Sequence, residues 1–159
     1  MKHALPKRRE DVRKRKKHRR KKRRRRSSKK NRDALLALRK AEALVDNGLV
    51  AEANAIYATL ARRAGTAREV LIEAATGLYR TGAYRDAVDA FRRFGTFARG
   101  EEDLRYYYSV ALFESGDYRG AQHELRCALP FIRETDEVLR YAQKIERMQQ
   151  ASANTTGMH

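Results

Sequence analysis

From residue 34 to residue 150 the chain places apolar side chains at i, i+3, i+4 and i+7 with polar ones between them. That spacing puts one greasy face on an α-helix. The pattern is interrupted at Gly48, Gly65, Gly82, Gly100 and Gly116, where a residue without a Cβ tolerates the left-handed backbone that ends a helix. The interruptions predict paired helices over 34–46 and 51–63, 68–81 and 85–98, then 101–114 and 119–131, with a last helix over 136–150. Asp33 is the expected N-cap of the first. Thr66 and Glu69 have the spacing of a capping box for the third. Glu101, Glu102 and Asp103 place acid where the next helix N-terminus favours it.

The interruptions are themselves periodic. The stretch from Thr81 to Phe91, moved by 34 residues in either direction, meets its own pattern again. Three columns result: Gly48, Gly82 and Gly116; Val50, Tyr84 and Tyr118; Ala53, Ala87 and Ala121. Four places after each Ala stands Tyr57, Phe91 or Leu125, filling the same helix face one turn later. Upstream, small residues align at Ala41, Ala75 and Ser109, with Leu44, Leu78 and Leu112 three places on. An Ala in such a column lets two helices approach closely. A period of this length marks helix-turn-helix units stacked side by side.

These columns resemble the tetratricopeptide repeat, over residues 34–150. The chain departs from that family in having no Trp and in lacking the Pro that often closes a unit, Pro130 coming nearest. The resemblance implies an all-α, three-unit TPR helix-turn-helix solenoid with a C-terminal capping helix and a disordered basic N-terminal arm. Its units would be 34–67, 68–101 and 102–135, the capping helix 136–150. Val138, Leu139, Ala142 and Ile145 would form the inner face of that cap, and 151–159 would fray.

Charge divides the chain in two. Residues 1–32 carry 20 Lys/Arg against Glu10 and Asp11, a net of +18; the other 17 Lys/Arg of the 37 meet 18 of the 20 acids, a net of −1. The densest run is Arg13, Lys14, Arg15, Lys16, Lys17, Arg19, Arg20, Lys21, Lys22, Arg23, Arg24, Arg25 and Arg26, broken only by His18. Repulsion at every i,i+4 spacing predicts disorder there until a polyanion relieves it. Such density suits sequence-independent binding of nucleic acid through its phosphates. Anionic lipid, an import signal and mere solubility are the other readings. With no aromatic residue in the run, base stacking is excluded. Ser27 and Ser28 follow the run, where a phosphate would remove positive charge.

Catalytic chemistry finds no support. Of His3, His18, His123 and His159, only His123 falls in the repeats, with the single Cys127 four places on. Two ligands do not make a zinc site, and no third is near in sequence. No phosphate loop or nucleophile motif is present. A lone Cys forms no intrachain disulfide and gives no sign of an oxidising compartment. The expectation is a protein that is not an enzyme and has no metal or cofactor. It would be a monomer without a membrane span, cytoplasmic and associated with a nucleoid or ribonucleoprotein, or nuclear in a eukaryote.

The resemblance also implies a peptide groove along the first helix of each unit. The contributing residues would be Leu35, Leu38, Glu42 and Val45; Ile72, Thr76 and Tyr79; Tyr106, Val110 and Phe113, with an apolar and aromatic floor. Five acids, Glu42, Asp46, Glu69, Asp103 and Glu114, would stand around it against Arg80. The basic set by which family members clamp a C-terminal carboxylate is missing. The expected occupant is therefore an amphipathic basic helix. The expected function is an adaptor whose groove holds a protein segment while the arm anchors to nucleic acid or a ribonucleoprotein. The alternative is an escort of the secretion-chaperone type for an unfolded or helical client.

Overall fold

The computed structural model describes residues 7–156, without the side chains of 7–11, 23–24 and 152–156. It is all-helical: α1 Lys7–Asp46, α2 Val50–Arg62, α3 Arg68–Arg80, α4 Tyr84–Arg92, α5 Glu102–Glu114, α6 Tyr118–Ala128 and α7 Asp136–Thr156. A 3-10 turn over Leu129–Phe131, with Pro130 inside it, follows α6. Each helix packs on the next, and α1 on α3, α2 on α4 and α3 on α5. Three helical hairpins thus stand side by side in two layers, and α7 closes the row against α6.

The predicted columns carry this packing. Gly48, Gly82 and Gly116 have φ of 77°, 76° and 89° at the three hairpin turns. Ala53, Ala87 and Ala121 have no exposed surface, and neither have Ala41, Ala75 and Ser109. Tyr57, Phe91 and Leu125 are buried beside them. Gly77 lets α3 rest on α2: a Cβ there would lie 2.6 Å from Cζ of Tyr57.

Several boundaries differ from expectation. Residues 7–32 are not a disordered arm, since α1 runs unbroken from Lys7 through Asp33, which caps nothing. Lys and Arg are good helix formers, and the packed second half of α1 supplies the nucleus from which the helix extends. Repulsion of a few tenths of a kcal/mol per pair does not break it. The capping box does not form either. Thr66 Oγ1 donates to the carbonyls of Leu60 and Arg63, at 3.0 and 2.8 Å, and so finishes α2. Ala67 opens α3 without a side-chain cap. α4 stops at Arg92 because Phe94 turns into the core against Phe91, and Gly95 reverses the chain at φ 72°. Leu139 is 44% exposed, so the inner face of α7 rests on Val138 and Ile145, with Ala142 partly buried beside the core. Residues 151–156 continue α7; 1–6 and 157–159, the ends of the arm and the tail, lie outside the described residues.

Candidate nucleic-acid and partner interfaces

Two regions present distinctive surface chemistry, and α1 belongs to both. At about 1.5 Å per residue its 40 residues make a rod of about 60 Å. Every described side chain from Val12 to Asp33 is exposed, and Ala34 is the first buried one. The basic run therefore surrounds a helix that stands clear of the body. Arg13, Lys14, Arg15, Lys16, Lys17, Arg19, Arg20, Lys21, Lys22, Arg25 and Arg26 are all exposed on it. The side chains of Arg23 and Arg24 lie outside the described residues. A helix of this width fits the major groove of a B-form duplex, and phosphates flank it on both sides there.

The second region is the layer formed by α1, α3 and α5. Of the expected groove residues, Leu38, Thr76, Tyr106 and Val110 are buried. These four support the floor but offer no contact surface. Val45, Ile72, Tyr79 and Phe113 remain partly accessible, and Glu42 is exposed. The far end is covered by α7. Phe113 meets the Tyr141 ring edge-on at 6.2 Å, and Tyr141 Oη donates to Glu114 Oε1 at 3.0 Å. Lys144 lies over that ring, 4.9 Å from its centre.

Three tyrosines outside the expected set complete the surface. Tyr107 stacks on Tyr79 at 4.6 Å, Tyr84 meets Tyr79 edge-on at 6.3 Å, and Tyr141 joins from α7. Tyr107 was legible only as part of the run Tyr106 to Tyr108, since its partner lies on another helix. Burial, then neighbouring Tyr106 and Glu137, push the Tyr79 hydroxyl well above the ordinary phenol range. Burial does the same for Tyr106, helped by Glu137 and Tyr141, and its hydroxyl is enclosed without a hydrogen-bond partner. Burial and the bond to Glu114 push Tyr141 up to about 12. The acids at the rim are open. Glu42, Asp46, Glu69 and Asp103 are exposed and have no ion-pair partner among the described residues; Arg80 is exposed beside them.

His123 is exposed and Cys127 half-buried beside Phe97 and Phe131. Among the described residues no three His, Cys, Asp or Glu side chains come together as metal ligands, and no helix is long and apolar enough to cross a membrane. The chain matches no family model, no curated protein and no solved structure.

Proposed function

We propose that this chain is a tetratricopeptide-type scaffold, not an enzyme, that couples a protein segment to nucleic acid. The observation that carries the proposal is the continuity of α1. One unbroken helix bears the polycation on its first part and one wall of the accessible apolar surface on its second. A ligand on either part is thereby held at a set distance from a ligand on the other.

The protein segment would be an amphipathic helix with an apolar stripe flanked by Lys or Arg. Its stripe would lie on Val45, Ile72 and Tyr79, and its cations would meet Glu42, Asp46, Glu69 and Asp103. With Tyr106 and Val110 enclosed and Phe113 partly covered, the accessible anchor is Tyr79. Nucleic acid would bind along the extension through phosphates alone, without reading sequence.

The test is a binding isotherm for the full chain on a DNA duplex as salt is raised. If about 8 basic residues meet phosphates, log K falls against log[salt] with a slope near −7. A flat response overturns the nucleic-acid half of the proposal. For the other half, a peptide with the stated pattern should bind, and Tyr79→Ala should weaken it by about 2 kcal/mol if Tyr79 is a hot spot. An unchanged affinity would remove the assigned surface.

A further inference from the structure

Where the extension meets the body, α1 passes the turn that joins α2 to α3. Between them lies a half-open cleft of about 340 Å³. Ser27, Lys30 and Asn31 line it from α1, and Arg63, Gly65 and Thr66 from the turn. The α1 residues sit three and four places apart, so one stripe of the helix faces the turn. No residue lining the cleft is acidic. Neither Lys30 nor Arg63 has an ion-pair partner among the described residues.

Of the turn's carbonyls, those of Leu60, Arg63 and Ala67 are already engaged. That of Arg63 accepts from Thr66 Oγ1 at 2.8 Å and from Arg93 Nη2 at 3.5 Å; that of Leu60 accepts from Thr66. The side chains of the wall supply donors and positive charge and no carboxylate: an ammonium, a guanidinium, a hydroxyl and a carboxamide. Anionic oxygens satisfy such a set through charge-assisted hydrogen bonds. Two unpaired cations facing one recess repel each other until an anion stands between them. The cleft is also continuous with the extension, because Lys16 and Arg20 lie on the same helical stripe as Ser27, Lys30 and Asn31.

We propose that this cleft is a phosphate site, and that it seats one backbone phosphate of the nucleic acid lying along the α1 extension. The second half rests on the nucleic-acid reading above; the first half does not. A seated phosphate gives the otherwise featureless polycation a register. It fixes where along the rod the duplex ends and the body begins.

The test compares two double variants of the full chain that each remove two exposed cations. Lys30→Ala with Arg63→Ala empties the cleft, and Lys16→Ala with Lys17→Ala thins the extension. On a short DNA duplex, loss of the charge-assisted bonds predicts that the cleft pair weakens binding about tenfold more than the extension pair. Amide shifts of Gly65, Thr66 and Ala67 are followed separately as inorganic phosphate replaces chloride at constant ionic strength. They should saturate in the wild-type chain and in the extension pair, and vanish in the cleft pair. Equal losses in both pairs on duplex that does bind overturn the cleft as the seat of a nucleic-acid phosphate and leave the extension reading standing. Failure of the wild-type chain to bind duplex overturns the extension reading instead. Saturating shifts that the cleft pair abolishes then uphold the phosphate site alone, and absent shifts sink it.

Discussion

The two parts of α1 are one helix with two different causes. From Ala34 onward the helix is held from outside: Ala34, Leu38 and Ala41 are buried against neighbouring helices at helical spacing. Before Ala34 no described side chain is buried, and only the helix's own hydrogen bonds and good propensities sustain it. The difference teaches that a helix needs packing to begin and much less to continue. It also separates roles. The packed part cannot change without disturbing the fold, whereas the projecting part is free to be selected for charge alone.

Cutting between the two parts should give the largest effect. Residues 33–159 alone should keep a cooperative melt, because the packing runs between adjacent helices and no described side chain before Ala34 is buried in it. Losing about 8 phosphate contacts should cost at least a thousandfold in duplex affinity at low salt. Circular dichroism and an affinity titration check the two halves of this statement. A truncated chain that fails to fold would show that the extension is a structural part of the body after all.

The next effect belongs to the packed side. Ala87 has no exposed surface where α4 meets its neighbours, so Ala87→Leu should destabilise by about 1–3 kcal/mol. Gly77→Ala is the sharper case. On an open helix it would stabilise by about 1 kcal/mol. Here the new methyl would meet the ring of Tyr57, itself buried and unable to retreat, so the sign should reverse. Chemical denaturation of both variants, with the extension present, measures this. A more stable Gly77→Ala variant would mean that α2 and α3 pack more loosely than described.

Not all of this was equally legible in the sequence. The Gly and Ala columns were, because each reports a single local demand: a positive φ at Gly82, a close approach at Ala87. The helical extension was not. Its charge density argues for disorder within any window that ends at Arg32, and the argument fails only when the packed segment beyond Asp33 is counted. The early end of α4 depends on Phe94 finding Phe91, Phe97 and the Arg68 guanidinium, partners drawn from three segments. The candidate groove was half legible. Helical spacing placed its residues on one layer, but α7 follows no period, and it is α7 that partly covers Phe113 and holds Glu114 through the Tyr141 hydroxyl.

Alkali should unfold the body through its tyrosines. Tyr79, Tyr106 and Tyr141 all have raised pKa values, burial first among the causes, so the folded state holds protons that the unfolded chain releases from about pH 10. The stability they contribute is complete below pH 10 and drains away as the pH rises through their folded values. Melting temperature should therefore fall between pH 10 and 12, and Tyr106→Phe should shrink the fall. That replacement also removes an enclosed hydroxyl without a partner, so it should not destabilise at neutral pH. An unchanged alkaline profile would place the raised groups elsewhere.

The smallest effect lies at the acid end, in a link absent from the extension. Arg68, at the start of α3, grips Glu101, at the start of α5, with Nη2 and with Nε at 3.2 Å. The same guanidinium donates to the carbonyls of Phe94 and Thr96, while Glu101 accepts from the Ala98 amide at 2.7 Å. One ion pair thus ties down the loop that follows α4. The bond from Arg68, then that from Ala98, holds the Glu101 carboxyl below its usual range. A depressed carboxylate stabilises above its unfolded pKa and loses that contribution as the pH falls through the folded value. The loss should begin near the ordinary carboxylate pKa of 4.5 and continue below it. Both partners are partly exposed, so salt should weaken the link and its share of stability should be modest. Glu101→Gln keeps the shape and removes the charge. It should lower the melting temperature slightly at neutral pH and flatten the decline that sets in as the pH falls below the ordinary carboxylate pKa, in step with the linkage relation. Amide exchange in residues 94–100 should quicken by more than exchange in the core of α3. An acid profile identical to that of the wild-type chain would mean that the loop is held by the buried Phe94 ring, with the ion pair a passenger.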